Sequence, residues 1–243
     1  DGHLVDFVAA AAVCLVVGAL VWAVTRRHKR ELRSRDGFML VTLAWMLMSA
    51  IATVPLLIAL PGLSFTDAFF ETMSGLSTTG ATVLVGLDDL PPSINLWRHA
   101  LCWYGGMGII VLVVAILPLL GVGGMQVYKA ETPGPMKDEK LTPRITQTAR
   151  ALWFIYFMIT GACIASLKLA GMNWFDAICH AFAALSLGGF STYDASVGHF
   201  DSPAIEAVLI VFMLIAAMNF SRHFIAWQQK SLRTYLGDVE ARA

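Results

Sequence analysis

Hydrophobic positions along this 243-residue chain gather into five long runs, residues 4–24, 38–60, 97–120, 151–170 and 204–224. Each is long enough to cross a bilayer, which takes about 20 residues of helix. Two shorter amphipathic segments sit between the runs. In the first, Ser64-Phe65-Thr66-Asp67-Ala68 leads into Leu76-Ser77-Thr78-Thr79-Gly80-Ala81-Thr82; in the second, Trp174-Phe175-Asp176-Ala177 leads into Leu185-Ser186-Leu187-Gly188-Gly189-Phe190-Ser191. The Asp-Ala pairs, the Leu-Ser pairs and the glycines Gly80 and Gly189 all lie 109 positions apart, so one register serves both. The pattern predicts apolar span, short half-helix with a glycine turn, apolar span, made twice.

Phe65 to Leu76 is too short to span, and it carries Asp67 and Glu71 early, where the helix dipole favours anions. Thr78-Thr79-Gly80-Ala81-Thr82 does not continue a helix comfortably. The stretch 83–92, with Asp88, Asp89, Pro91 and Pro92, predicts an exposed loop. Each half-helix is therefore expected to dip into the membrane and turn back. Irregular backbone at membrane depth survives only inside protein or along a water-filled cavity, because lipid cannot bond its N–H and C=O groups. Such freed carbonyls can replace the water shell of potassium, and a half-helix C-terminus aimed at them adds negative potential. Gly80 and Gly189 supply backbone freedom that a Cβ resists.

Composition agrees with a membrane solvent. Apolar residues form 57% of the chain, charged residues 14%, and mean hydropathy is +0.68, whereas soluble domains carry roughly a quarter charged residues. The basic run follows the first span instead of preceding it, which excludes a cleavable signal. The chain opens at Asp1, and a fragment of a longer protein is expected.

The zero net charge conceals an asymmetry. Arg26, Arg27, Lys29, Arg30, Arg33 and Arg35 follow the first span, Lys129, Lys137, Lys140, Arg144 and Arg150 the third, and Lys230, Arg233 and Arg242 the fifth. By the positive-inside rule these segments are cytoplasmic. The opposite loops hold Asp67, Glu71, Asp88, Asp89, Asp176, Asp194 and Asp201, placing both glycine turns on the outer side. Basic clusters flanking membrane spans are read as topology signals, and no nucleic-acid partner is expected. Cys14, Cys102, Cys163 and Cys179 lie singly in apolar stretches, as packing residues, with no zinc or disulfide pattern.

Two units with the same starting orientation make a parallel repeat about an axis normal to the membrane. Two turns do not enclose an ion, and the potassium-channel precedent uses four, so about half of any pore is expected elsewhere.

At Leu76 to Thr82, Trp103-Tyr104-Gly105-Gly106-Met107-Gly108, Gly121-Val122-Gly123-Gly124-Met125-Gln126, Lys140-Leu141-Thr142-Pro143-Arg144 and Gly188-Gly189-Phe190-Ser191-Thr192, the chain resembles the Trk/Ktr/HKT potassium transporters, in their bacterial TrkH-type branch. The resemblance implies an all-α bacterial inner-membrane protein with potassium-channel-like units, two of four, after an extra N-terminal helix pair. Residues 1–35 would be the second helix of that pair with a basic cytoplasmic loop, 36–138 the first membrane–pore–membrane repeat and 139–243 the second. It further implies a homodimer with one pore per protomer, a cytosolic nucleotide-binding regulatory ring of the RCK type, surrounding membrane lipid, pore loops facing the periplasm, and potassium as the transported ligand without a cofactor. The ion-coordinating carbonyls would be those of Thr78, Thr79, Leu187 and Gly188, with Gly80 and Gly189 as filter glycines. In the family, glycine at the Gly80 position accompanies potassium preference and serine accompanies sodium permeation in plant relatives. Leu187 departs from the usual threonine, which preserves a carbonyl and removes a hydroxyl. The family's gating elements, a loop in its third repeat and an arginine in its last helix, lie outside this sequence.

The rival readings are a secondary transporter with helices broken at the midplane, a non-conducting membrane scaffold, and an integral membrane enzyme. An enzyme needs clustered His, Ser or carboxylate groups at one depth, and none is found beyond the half-helix ends, so no enzyme is expected. Gly105, Gly106 and Gly108 read as close-packing positions or as a hinge. His180, where the first half-helix has Glu71, reads as a hydrogen-bonded structural histidine. Arg222 and His223 are functional candidates or a snorkelling pair. Trp45, Trp97, Trp103, Trp153, Trp174 and Trp227 suggest an interfacial belt.

Overall fold

A computed structural model describes residues 4–26, 34–111 and 141–218, together with 220, 223 and 226. Among the described residues there are seven α-helices and no strand: α1 (Leu4–Thr25), α2 (Ser34–Ala59), α3 (Phe65–Leu76), α4 (Pro92–Val111), α5 (Leu141–Leu169), α6 (Trp174–Ser186) and α7 (Pro203–Ala217). The helices α3 and α6 have 12 and 13 residues, about 18–20 Å of helix at 1.5 Å per residue. That is well short of the roughly 30 Å hydrocarbon core. The window Met39–Ala59 of α2 and the window Ala149–Leu169 of α5 are long and apolar enough to span, and α7 is a shorter apolar helix.

The architecture is helix, half-helix, helix, twice. The half-helix α3 packs between α2 and α4, and α6 packs between α5 and α7. The two units meet where α4 lies against α6, and α1 packs on α2. The main core belongs to this junction: Trp103 and Met107 of α4, Tyr156 and Cys163 of α5, Ala181 and Leu185 of α6, and Leu209 of α7 are buried together. Large apolar side chains such as Leu43, Leu47 and Ile58 of α2, Met158 of α5 and Leu214 of α7 face outward. Exposed apolar side chains of this kind suit a bilayer or further apolar chain better than water.

Several expectations change. The third span begins earlier than residue 97, at Pro92, because proline suits a first helical turn; its continuation past Val111 lies outside the described residues. The fifth span, expected without interruption over 204–224, breaks at Met218, whose extended backbone (φ −72°, ψ 150°) ends α7. The His223 ring Nε2–H donates to the Ile215 carbonyl at 3.0 Å, beside the Met218 N–H that reaches the same oxygen at 3.2 Å. Trp103 is no belt residue. It is 5% exposed, stacks on Phe182 with centroids 5.0 Å apart and donates from Nε1 to Thr160 Oγ1 at 3.1 Å. Cys102, Cys163 and Cys179 are free and buried, as packing residues are. The side chains of Cys14 and Arg144, together with Arg222, Trp227 and the basic stretches within 27–33, 112–140 and 227–243, lie outside the described residues.

Candidate functional site at the paired glycine turns

The half-helices begin alike. The Asp67 N–H donates to Ser64 Oγ at 3.1 Å and the Asp176 N–H to Asn173 Oδ1 at 2.8 Å. The caps satisfy one of the orphan donors of each first turn and are themselves 109 positions apart. Asn173→Ala is expected to cost about 1 kcal/mol, read as a lower thermal midpoint of the purified protein in detergent; an unchanged midpoint would show that the cap contributes nothing.

They also end alike. Thr78 N–H donates to the Gly75 carbonyl and Thr79 N–H to the Ser74 carbonyl, both at 2.9 Å; Leu187 N–H donates to Ala184 at 3.2 Å and Gly188 N–H to Ala183 at 2.9 Å. This is the Schellman closure of a helix, with its left-handed residue at Thr78 (φ 57°) and Leu187 (φ 54°). A second left-handed residue follows at Gly80 and Gly189, each with φ 75°. The sequence pointed to the glycines alone. The closure strains a threonine and a leucine as well, at about 1–2 kcal/mol each. It consumes N–H groups and leaves oxygens: among the described residues, no donor reaches the carbonyls of Thr78, Thr79, Leu187 or Gly188. Thr79, Leu187 and Gly189 are exposed, Thr78 and Gly80 half-buried, and Gly188 buried.

The two turns touch. A Cβ placed on Gly80 would overlap the Gly188 carbonyl oxygen and lie 2.8 Å from its carbon. Helix α4 seats both half-helix ends: a Cβ on Gly105 would overlap the Leu76 carbonyl oxygen, and one on Gly106 would lie 2.9 Å from Ser186 Cβ. The glycines of α4 therefore serve close packing.

Behind the first turn, the Glu71 carboxylate accepts from Thr82 Oγ1 at 2.9 and 3.0 Å, from the Val83 N–H at 3.1 Å and from Arg98 Nε at 2.7 Å. Behind the second, at matching positions, His180 Nε2 pairs with Ser191 Oγ at 3.2 Å, while Nδ1–H donates to the Asp176 carbonyl at 2.9 Å. His180 is thus the bonded structural histidine expected. Arg98, Thr82 and Ser191 were missed. Their signal was present: an arginine among apolar residues needs a carboxylate within reach, and Thr82 and Ser191 share the 109-residue register.

The loops past the turns are tied across the units. The Asp194 carboxylate accepts from the Gly86 and Leu87 N–H groups at 2.9 and 3.1 Å, and the Asp194 N–H donates to Asp88 Oδ2 at 3.1 Å. Buried Asp176 accepts from Thr192 Oγ1 at 2.8 Å and from the Tyr193 hydroxyl at 2.9 Å. Burial, and then the bond to Asp176, pushes the Tyr193 phenol up to about 12. Raised above the unfolded value of about 10, this group stabilises the fold fully below pH 10 and loses that contribution as pH rises through 12. In an ultraviolet titration, Tyr193→Phe is expected to remove a phenol that ionises near 12; an unchanged titration would show that Tyr193 ionises normally.

Half-helices seated between membrane helices, in one register and ending in paired turns, define a pore-loop class of membrane protein. The chain is 55% identical over 246 residues to the Trk system potassium uptake protein TrkH of Vibrio parahaemolyticus, covering 100% of this chain and 51% of that protein. It is 51% identical over 243 residues to the protein of the same name from Escherichia coli K12, covering 100% of this chain and 50% of that one. The crystal structure of the potassium transporter TrkH from Vibrio parahaemolyticus superposes with a TM-score of 0.87 at 50% identity, over 100% of this chain and 49% of that one. With the family model "TrkH: Cation transport protein" matching residues 3–242, the chain belongs to the TrkH family. It spans about half the length of the relatives it matches.

Proposed function

We propose that the complete protein takes up potassium across the bacterial inner membrane, and that this chain supplies half of the conducting path. The observation that carries the reading is the set of four carbonyls, at Thr78, Thr79, Leu187 and Gly188, left without donors by two touching turns. Such oxygens suit a dehydrated monovalent cation, and each half-helix C-terminus adds negative potential. The potassium-uptake names of the relatives support the choice of cation. Gly80 and Gly189 would be the filter glycines.

Four such units per protomer, counted as 36–138, 139–243 and two more, would close the ring. Residues 1–35 would belong to an additional helix pair ahead of it. The turns would face the periplasm, the outward apolar side chains would meet lipid, and the assembly would be a homodimer controlled by a cytosolic nucleotide-binding ring. No chemical step is assigned. Cells lacking their own potassium uptake, given the complete protein, are expected to grow at potassium concentrations that arrest the parent strain. Failure to restore growth, with the protein present in the membrane, would overturn the reading.

A further inference from the structure

Arg98 is 1% exposed and lies in an apolar helix, where a cation is expensive unless paired. Glu71 pairs with it at 2.7 Å and is equally buried. An ion pair of this kind is weak evidence for stability, since apolar residues of similar volume often serve as well or better. The second unit places His180 and Ser191 at the positions of Glu71 and Thr82, 3.2 Å apart between Nε2 and Oγ. A turn therefore does not require a carboxylate at that position of its half-helix.

What the guanidinium does is reach across both units. Nε donates to Glu71, Nη1 to Asn95 Oδ1 at 3.0 Å and to the Ser191 carbonyl at 3.4 Å, and Nη2 to Thr82 Oγ1 at 3.2 Å. Its plane also lies over the Phe190 ring, 4.5 Å from the centroid. Thr82 stands two residues past Gly80, and Ser191 two residues past Gly189. One rigid fork thus holds the strands that leave both glycine turns. A lysine, a point charge on a flexible stem, lacks that geometry.

We infer that Arg98 is a positioning residue that fixes the two glycine turns relative to each other, and that Glu71 cancels its charge toward a cation held there. This rests on the transport reading above. Removing the carboxylate charge leaves a buried positive charge near the ion path; removing the fork loosens the spacing of the carbonyls while keeping charge balance. The two defects differ, and so do their kinetics.

The test measures net potassium influx into potassium-depleted cells carrying the complete protein, against external potassium and with sodium as competitor. Glu71→Gln, which retains an acceptor for Nε, is expected to raise the half-saturating potassium concentration about tenfold with discrimination against sodium retained. Arg98→Lys is expected to leave half-saturation close to the wild-type value and to lower discrimination several-fold. If both variants change only maximal influx, in proportion to protein in the membrane, the pair is merely structural and the inference fails. It fails also if neither variant accumulates, since the pair is then a folding requirement. Absence of influx through the wild-type protein run alongside would instead overturn the transport reading itself.

Discussion

Gly80→Ser in the complete protein is expected to lower discrimination between potassium and sodium by at least about tenfold, with a fall in potassium influx. Two physical effects act together. The backbone at Gly80 is left-handed, with φ 75°, a conformation that strains a residue bearing a Cβ by about 1–3 kcal/mol. The larger effect is steric. A Cβ there overlaps the Gly188 carbonyl oxygen and stands 2.8 Å from its carbon, and these are backbone atoms that cannot rotate out of the way. The serine must push the neighbouring turn aside, so a substitution in one unit moves a carbonyl in the other. Gly80→Ala carries the same Cβ and is expected to behave like the serine variant, which separates the steric cause from any ligand role of a hydroxyl. Influx of both ions is compared in cells expressing equal amounts of protein. Wild-type discrimination in both variants would place the turns outside the ion path.

The half-helices were legible because capping, length and glycine placement agreed at every level. Residues 65–76 were read from the sequence and are helical as read. The repeat was legible because one spacing served several residue types at once, and the same spacing recurs in the caps, the Schellman closures and the left-handed positions. The left-handed backbone of Thr78 and Leu187 was hidden because local preference points to glycine, and the surrounding packing overrides it. The Glu71–Arg98 pair was half legible: an arginine among apolar residues signals a carboxylate partner, but sequence separation does not say which one the approach of α3 to α4 brings to it. Neither proline nor glycine marks the break of α7 at Met218, so periodicity carried the expected span straight through it. Trp103 looked interfacial by residue type, which is a preference of location that a well-shaped pocket of Phe157, Phe182 and Thr160 outweighs.

Gly105→Ala is expected to destabilise the protein by about 2 kcal/mol net. Alanine is the better helix former by about 1 kcal/mol, so a glycine at this position of α4 without tertiary constraint would be stabilised by the change. Overlap opposes it: the new Cβ would occupy the place of the Leu76 carbonyl oxygen and lie 2.7 Å from its carbon, and overpacking against backbone costs about 3 kcal/mol. That cost outweighs the gain. At Gly106 the nearest atoms are Ser186 Cβ at 2.9 Å and the Tyr156 hydroxyl at 3.0 Å, and at Gly108 the edge of the Trp45 ring at 3.1 Å. The expected order of destabilisation is therefore 105, then 106, then 108, read as falling thermal midpoints in detergent and falling amounts in the membrane. A hinge at these glycines predicts the opposite pattern, with stability rising by helix propensity while influx falls. The order distinguishes the two, because only a seat for the ends of α3 and α6 makes the position nearest the Leu76 carbonyl the least tolerant of a single methyl group.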